Sequence, residues 1–397
     1  MTLPPPTPLT TVAVHGYRSL REVVLDLGER LTVVTGANGT GKTSLYRALR
    51  LLAEIADGRL LPELAAVGGL SAVLWAGPEH VSGRMRGGEV PVQGSGARLA
   101  PVALQLGYAS GDLGYLIDLG LPRPDSTTRF SHDPIIKREE IFAGPHRRPA
   151  SLLVRRHNAR VERREDDWVE VGSIEDRGSI IDELGDPGTT PEVIGVRRRV
   201  RGWRFYDGWR TDAAAPARQP GMLTQTPVLS ADGADLGSAV ATIDESDMAG
   251  SFAEVIDRAL PGSTVRVREV DSRVSIELEQ RGLLRPMAAA ELSDGTLRLI
   301  CLAAALHSPR PPGLLVLNEP EASLHPSVVP AVAAMVSSAA SRSQVMVISH
   351  AEALVEALSD ESDDDRTRHH HLERELGETV VTDQGLLSTP RWDWGSR

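Results

Sequence analysis

Short apolar runs separated by polar and glycine-marked breaks recur along the whole chain, and their period changes from region to region. Residues 11–14 and 23–27 read as two strands, and the apolar run Leu31-Thr32-Val33-Val34 as a third. A glycine-rich stretch follows, and the pattern then turns helical over roughly residues 43–57, before a break at Gly68-Gly69. Between residues 100 and 171 apolar and polar positions alternate in short runs: Val102-Ala103-Leu104-Gln105-Leu106, Gly114-Tyr115-Leu116-Ile117, Ser151-Leu152-Leu153-Val154 and Trp168-Val169-Glu170-Val171. With turns at Ser110-Gly111-Asp112 and Glu165-Asp166-Asp167, this predicts an antiparallel sheet. Thr190-Pro191-Glu192 signals a helix start, and Val193, Val196, Val200 and Trp203 follow at helical spacing. An Ala/Pro loop spans 211–220, helices are expected at 236–243 and 251–259, and strands at 264–267 and 274–278. The chain closes with an apolar helix at 297–307, a buried strand at 314–317, another helix, and a second apolar strand at 345–348. Residues 360–371, acidic and then basic and His-rich, read as a surface loop. No internal repeat and no sustained heptad pattern is present.

Composition narrows the class. At 397 residues the chain can bury a large core and form two or three domains, and its apolar and charged fractions are those of a globular protein. Met1 to Pro8 carries no charged side chain and no signal pattern, and the longest apolar run, 299–306, is too short to span a bilayer. A cytoplasmic protein without membrane contact is therefore expected, with the lone Cys301 as a small core residue. A net charge of −11 means that any nucleic-acid contact must come from a local patch. Two arginine clusters qualify: Arg197, Arg198, Arg199, Arg201 and Arg204, and Arg155, Arg156, Arg160, Arg163 and Arg164. Their alternative reading is a solvated face paired to acids such as Glu162, Glu165 and Asp166. Three consecutive histidines, His369-His370-His371, cannot all face one metal ion.

The candidate chemistry is concentrated in a few places. Gly36-Ala37-Asn38-Gly39-Thr40-Gly41-Lys42-Thr43 lies between a strand and a helix, the setting of a phosphate-binding P-loop. Its glycines let backbone N–H groups curl around phosphate oxygens, and the helix beginning near Ser44 adds its positive dipole end. Lys42 suits the β- and γ-phosphates, and the Thr43 hydroxyl suits Mg²⁺. The chain has only two lysines, Lys42 and Lys137, against 41 arginines. Lysine is kept in the loop, where a compact ammonium fits and a planar guanidinium does not. Downstream, Leu292-Ser293-Asp294-Gly295-Thr296 precedes the apolar helix. The first buried strand ends in Asn318-Glu319-Pro320-Glu321, and the second ends in Ser349-His350. Each alone is weak, since Ser-x-Gly before a helix is often a cap.

Taken in this order, the pieces resemble an ABC-type ATPase: P-loop, signature, Walker B strand with catalytic Glu, and switch His. Gly16-Tyr17-Arg18-Ser19-Leu20 resembles the "FRS" segment that opens RecF and SMC heads. Asn38, the "LSDGT" and "NEPEASLHP" stretches, and the segments "WRFYDGWRTDAAAPARQP" and "LSADGADLGSAV" point the same way. The chain resembles a stand-alone ABC-class ATPase of the RecF/SMC/OLD group, one of the compact proteins labelled predicted AAA-type ATPases. The resemblance implies an α/β P-loop NTPase of ABC-ATPase head type, a mixed sheet with an antiparallel β subdomain and a helical signature lobe. It divides one head into lobe I over 1–175, an inserted helical lobe over 176–290, and a segment over 291–397 that returns to lobe I.

The implied site holds ATP through Gly36, Asn38, Gly39, Thr40, Gly41, Lys42, Thr43 and Ser44, and Mg²⁺ through Thr43 and Asn318. Glu319 polarises the attacking water and His350 senses the γ-phosphate. Ser293 and Gly295 of a second copy cap that phosphate, so that ATP closes a homodimer. Two departures stand out. Asn318 occupies the position of the usual Walker B Asp, and Glu183, in 179–184, stands where a Q-loop Gln is expected. Two functions follow: an ATPase acting on or near DNA in maintenance, repair or anti-phage defence, or a slow or inactive module that signals its ATP state to an effector protein. The chain after His350 is too short for the TOPRIM domain of OLD nucleases. The signature also lacks the Gly-Gly-Gln ending of transporter ATPases.

Overall fold

The computed structural model describes residues 7–78, 103–122, 128–361, 366–384 and 390–395. Met1 to Pro6, Val102, and residues 362–365 of the predicted acidic loop lie outside them. The chain forms two compact units: Met1–Glu29, Val34–Trp203 and His369–Arg397 make one, and Arg30–Val33 with Arg204–Arg368 make the other. The units are bounded near 203 and 368, not at the expected 175 and 290. The helix Pro191–Arg201 packs on the helix Lys42–Ala56 within the first unit, whereas Arg204–Tyr206 pairs in parallel with Leu315, Val316 and Leu317 of the second. The Walker B segment therefore belongs with the inserted lobe.

Strands of the first unit are β1 (Leu9–Tyr17), β2 (Leu20–Asp26), the end of β3 (Leu31–Gly36), β4 (Leu104–Ser110), β5 (Leu113–Gly120), β6 (Ile135–Ala143), β7 (Leu152–His157), β8 (Arg160–Arg164) and β9 (Trp168–Ser173). Eight of them form an antiparallel sheet in the order β2-β1-β4-β5-β6-β7-β8-β9. The predicted turns at 110–112 and 165–167 join β4 to β5 and β8 to β9. Strands β6 and β8 were not predicted, because Lys137-Arg138-Glu139-Glu140 and Arg160-Val161-Glu162-Arg163-Arg164 do not read as strand.

In the sheet the β6 charges are paired. Glu139 and Arg156, both 0% exposed, meet at 2.9 Å. Glu139 also accepts from Tyr115 Oη at 2.6 Å, Ser179 Oγ at 2.5 Å and the Ile180 amide at 3.0 Å. Arg156 donates to the carbonyls of Glu175 and Gly178. Removing one partner of such a pair leaves a bare buried charge. Arg156→Met is therefore expected to destabilise folding by about 3–5 kcal/mol, read as a lower urea midpoint.

The predicted surface loop over 360–371 is corrected at its C-terminal end. Thr367–Glu375 is a strand that pairs antiparallel with Glu378–Val381. Alternation along it buries His370, whose Nδ1 lies 2.8 Å from Asp383 and whose Nε2 lies 2.8 Å from Asp26 O, while His371 faces Thr35 Oγ1 at 2.9 Å. Charged and histidine-rich composition masked a strand whose polar groups are satisfied across the fold.

The second unit contains β10 (Arg204–Tyr206), β11 (Gly221–Met222), β12 (Ser263–Val270), β13 (Arg273–Gln280), β14 (Met287–Ala288), β15 (Leu314–Asn318) and β16 (Gln344–Ile348). Strands β10, β15 and β16 run parallel, and Val345 N donates to Arg30 O at 2.7 Å. Apart from Asn318 and Gln344 at their ends, β15 and β16 are apolar because both faces are covered. The helices Leu236–Asp244, Ala249–Ala259, Asp294–Leu306 and Val329–Ala340 share one core with them. Cys301 lies in that core, where burial pushes its thiol pKa up and makes it inert.

Candidate nucleotide site

The expected site residues fall into two groups, one in each unit. In the first unit, β3 delivers the chain into the loop that ends at the helix Lys42–Ala56. Gly36, Gly39 and Gly41 have φ of 146°, 83° and 109°. At Gly36 a Cβ would run into Leu372 O, and at Gly41 into Thr379 Oγ1, so backbone approach as well as φ requires glycine. Gly39 has nothing within 4 Å of its missing Cβ, and Asn38 is exposed beside it. Lys42 is 5% exposed, and its Nζ donates to Gly36 O at 2.6 Å and Ala37 O at 2.9 Å. Thr40 Oγ1 folds back onto Ala37 O at 2.9 Å and braces the loop.

The helix that follows has no side-chain cap and no acidic residue in its first turn. Its N-terminus therefore keeps amide donors and dipole for an anion. Thr43 is exposed and Ser44 half-buried at that end. A cradle of left-handed glycines with a buried ammonium fits a triphosphate.

In the second unit, Asn318 ends β15, and its Oδ1 is buried without a hydrogen-bond partner. An orphaned acceptor of this kind fits a metal-bound water. Glu319 has φ of 50°, a left-handed conformation that costs a non-glycine residue about 1 kcal/mol or more. Its amide donates to Ile348 O at 2.7 Å, and His350 Nδ1 stands 3.3 Å from its carboxylate. Two residues on, Glu321 accepts from Ser349 Oγ at 2.5 Å. The ends of both buried strands are thus tied together, and the strained glutamate faces the histidine. Tyr206, Asp207, Trp209, Arg298 and Ala322 line a small cleft of about 100 Å³ with Asn318 and Glu319.

Ser293 caps the helix Asp294–Leu306 by accepting from the Thr296 amide at 3.1 Å. Ser323 O lies 3.1 Å from where a Cβ of Gly295 would stand. Arg298, one turn on, donates to Ser323 Oγ at 2.8 Å. Gly295 is therefore the residue that lets the segment after Walker B pack against the signature helix.

Most members of the arginine clusters have partners within the chain, although Arg160, Arg164, Arg198 and Arg201 stay exposed. Arg197 donates to Ile181, Asp182 and Leu184 carbonyls. Arg199 is buried against Asp112, at 2.8 Å, and Arg201 pairs with Asp57 at 2.9 Å. Arg155 and Arg160 pair with Glu162, and Arg163 with Glu165 and Glu192. Arg198 is exposed. Glu183, at the position where a Q-loop Gln is expected, closes the short helix Ile180–Glu183 capped by Ser179.

Residues 31–356 match the family model described as "AAA domain, putative AbiEii toxin, Type IV TA system". The DNA replication and repair protein RecF of Pseudomonas fluorescens (strain SBW25) is 29% identical over 180 residues, 42% of this chain and 46% of that protein. RecF of Pseudomonas savastanoi pv. phaseolicola (strain 1448A / Race 6) is 27% identical over the same span, with the same shares. The chain spans about half the length of the curated relatives it matches. Among solved structures, an SMC head bound to the C-winged helix domain of ScpA aligns at 14% identity with a TM-score of 0.49, covering 94% of this chain and 97% of that one. The SMC head domain from Thermotoga maritima aligns at 14% identity with a TM-score of 0.43, covering 94% and 98%. Among the described residues no helix is long and apolar enough to cross a membrane.

Proposed function

We propose that this chain, which belongs to the AAA-domain family described as a putative AbiEii toxin of type IV toxin–antitoxin systems, hydrolyses ATP slowly in a homodimer that nucleotide closes. It is a RecF/SMC-like ABC-class ATPase by family, and the reading of its own activity rests on one observation above others. That observation is the P-loop: three left-handed glycines, a buried Lys42 turned onto the loop carbonyls, and a helix N-terminus free of competing acid. Gly36, Asn38, Gly39, Thr40, Gly41, Lys42, Thr43 and Ser44 are the proposed ATP contacts. Mg²⁺ supplies charge neutralisation on the triphosphate when bound, with Thr43 and Asn318 as its proposed ligands.

Glu319 is assigned the role of orienting and polarising water, and His350 that of contacting the γ-phosphate. Their 3.3 Å approach supports the pairing. Ser293 and Gly295 are assigned to the partner protomer's phosphate. An amide at Asn318 brings no charge to the metal, which is why turnover is proposed to be slow.

Direct DNA binding and signalling to an effector protein are the two outputs considered. The internal pairing of both arginine clusters, together with the net charge of −11, favours the effector. Steady-state ATP hydrolysis with and without double-stranded DNA, at low and moderate salt, tests this. The expected result is slow hydrolysis that Glu319→Gln removes and DNA leaves unchanged. Stimulation by DNA that fades as salt rises would reinstate the DNA reading. Asn318→Asp adds a carboxylate and is expected to lower the Mg²⁺ concentration for half-maximal turnover severalfold. An unchanged Mg²⁺ requirement would remove Asn318 from the metal site.

A further inference from the structure

The signature serine is bracketed by a buried guanidinium that is distant in sequence. Arg218 closes the short turn Pro216–Arg218 in the Ala/Pro-rich stretch, and its side chain is 6% exposed. Its Nε donates to Thr211 O at 2.8 Å, which ties it to its own loop. That loop is anchored in turn by Trp209 and Ala217, both in the core of the second unit. The far side of the guanidinium reaches the signature. Nη1 donates to Ala289 O at 2.7 Å and Leu292 O at 2.9 Å, and Nη2 meets the Asp294 carboxylate at 3.0 Å. Ala289 opens the single turn, Ala289–Glu291, that delivers the chain to Ser293, and Leu292 closes it. Ser293 is the one residue between the last two contacts, and it is exposed.

We infer that Arg218 is a positioning residue for the signature: it holds the turn that presents Ser293 and Gly295, and it compensates the Asp294 charge beside them. The inference rests on the proposed function, in which Ser293 and Gly295 meet a nucleotide phosphate. Two physical arguments support it. Asp294 lies in the first turn of the helix Asp294–Leu306, where a carboxylate favours the helix but opposes an incoming triphosphate. A cation at 3.0 Å offsets part of that opposition, Asp294 itself being 67% exposed. The spread of acceptors also demands a fork. Two carbonyls and a carboxylate, with Thr211 O behind them, cannot all be reached by the single ammonium of a lysine.

The test is made on the full chain carrying Glu319→Gln, by sedimentation with ATP, beside binding of a fluorescent ATP analogue at protein concentrations below dimerisation. Adding Arg218→Lys is expected to weaken the ATP-driven dimer about 10- to 100-fold, the effect of losing hydrogen bonds from a charged group, with analogue affinity within about twofold. Arg218→Met is expected to be at least as severe, and Arg218→Met/Asp294→Asn to recover part of the loss. An arginine with only a structural role gives no such recovery, because the two carbonyls stay unpaired. Unchanged dimerisation in Arg218→Lys, or no recovery in the double variant, overturns the inference. If Glu319→Gln alone does not dimerise, the proposed function fails and hydrogen exchange decides the inference separately. Amides of residues 292–297 should then lose protection in Arg218→Lys while those of the helix Leu236–Asp244 do not. Equal loss in both, or loss in neither, overturns it.

Discussion

Lys42→Ala is expected to weaken ATP binding by about tenfold to a hundredfold or more while leaving the fold intact. The side chain is buried at the start of its helix, and Nζ already lies 2.6 Å and 2.9 Å from the loop carbonyls of Gly36 and Ala37. The ammonium is thus held over the loop that would cradle the phosphates, where a planar guanidinium is expected to fit poorly. A charge-assisted contact contributes about 1.5–3 kcal/mol, so affinity should fall by roughly tenfold to a hundredfold from that contact alone, and further if the loop rearranges. The loop carbonyls of Gly36 and Ala37 lose their donor, yet the core packing that holds the helix is untouched. The same helix is held by Leu45, Leu49, Leu52 and Ile55, all fully buried. Lys42→Arg is the sharper test, because it keeps the charge and changes only width and planarity. Calorimetric titration with ATP and Mg²⁺ reads both. Wild-type affinity in Lys42→Arg would show that the loop does not select an ammonium, and the proposed mode of phosphate binding would fall.

Glu319→Gln should reduce turnover by about 10²–10⁴-fold, the range of a removed general base, with ATP affinity near that of the wild type. The substitution is nearly isosteric, and Gln accepts the same backbone strain at φ 50° that Glu319 already bears. The amide contact to Ile348 O, at 2.7 Å, is backbone and survives. A strained glutamate held 3.3 Å from His350, at the ends of two buried parallel strands, is a preorganised pair. With hydrolysis blocked, the ATP-bound dimer should accumulate and double the mass in solution. A Glu319→Gln chain that hydrolyses ATP at the wild-type rate would displace Glu319 from its assigned role. One that stays monomeric at saturating Mg-ATP would refute nucleotide-driven dimerisation of the isolated chain.

The sequence by itself determined the parts whose constraints are local. A loop that needs left-handed backbone at three places must spend glycines there, so Gly36, Gly39 and Gly41 announce it. Strands covered on both faces must be apolar over nearly all their length, so β15 and β16 are legible as runs, and the residues at their ends, Asn318, Glu319 and His350, can be picked out by position. Turns at 110–112 and 165–167 and the helices after Thr190 and Ser293 follow from equally local chemistry. The family pattern of these pieces in order spans residues 31–356.

Tertiary structure alone decided whatever depends on which charge meets which. The run Lys137-Arg138-Glu139-Glu140 does not read as strand and is nonetheless a central one, because Arg156 from the neighbouring strand compensates Glu139. Arg199 and Arg201 read as a phosphate-binding stripe and are taken by Asp112 and Asp57, and His370 reads as loop and is buried between Asp26 and Asp383. Arg218 reads as one more arginine in a loop, and the acceptors of its Nη1 lie more than 70 residues away. The compact units likewise break near 203, where β10 joins the parallel strands, and composition does not change there. A backbone conformation or a doubly covered face restricts the residue that occupies it. The solvation of a charge is instead set by partners that only the folded register brings within 3 Å, and the same residues in sequence are compatible with either fate.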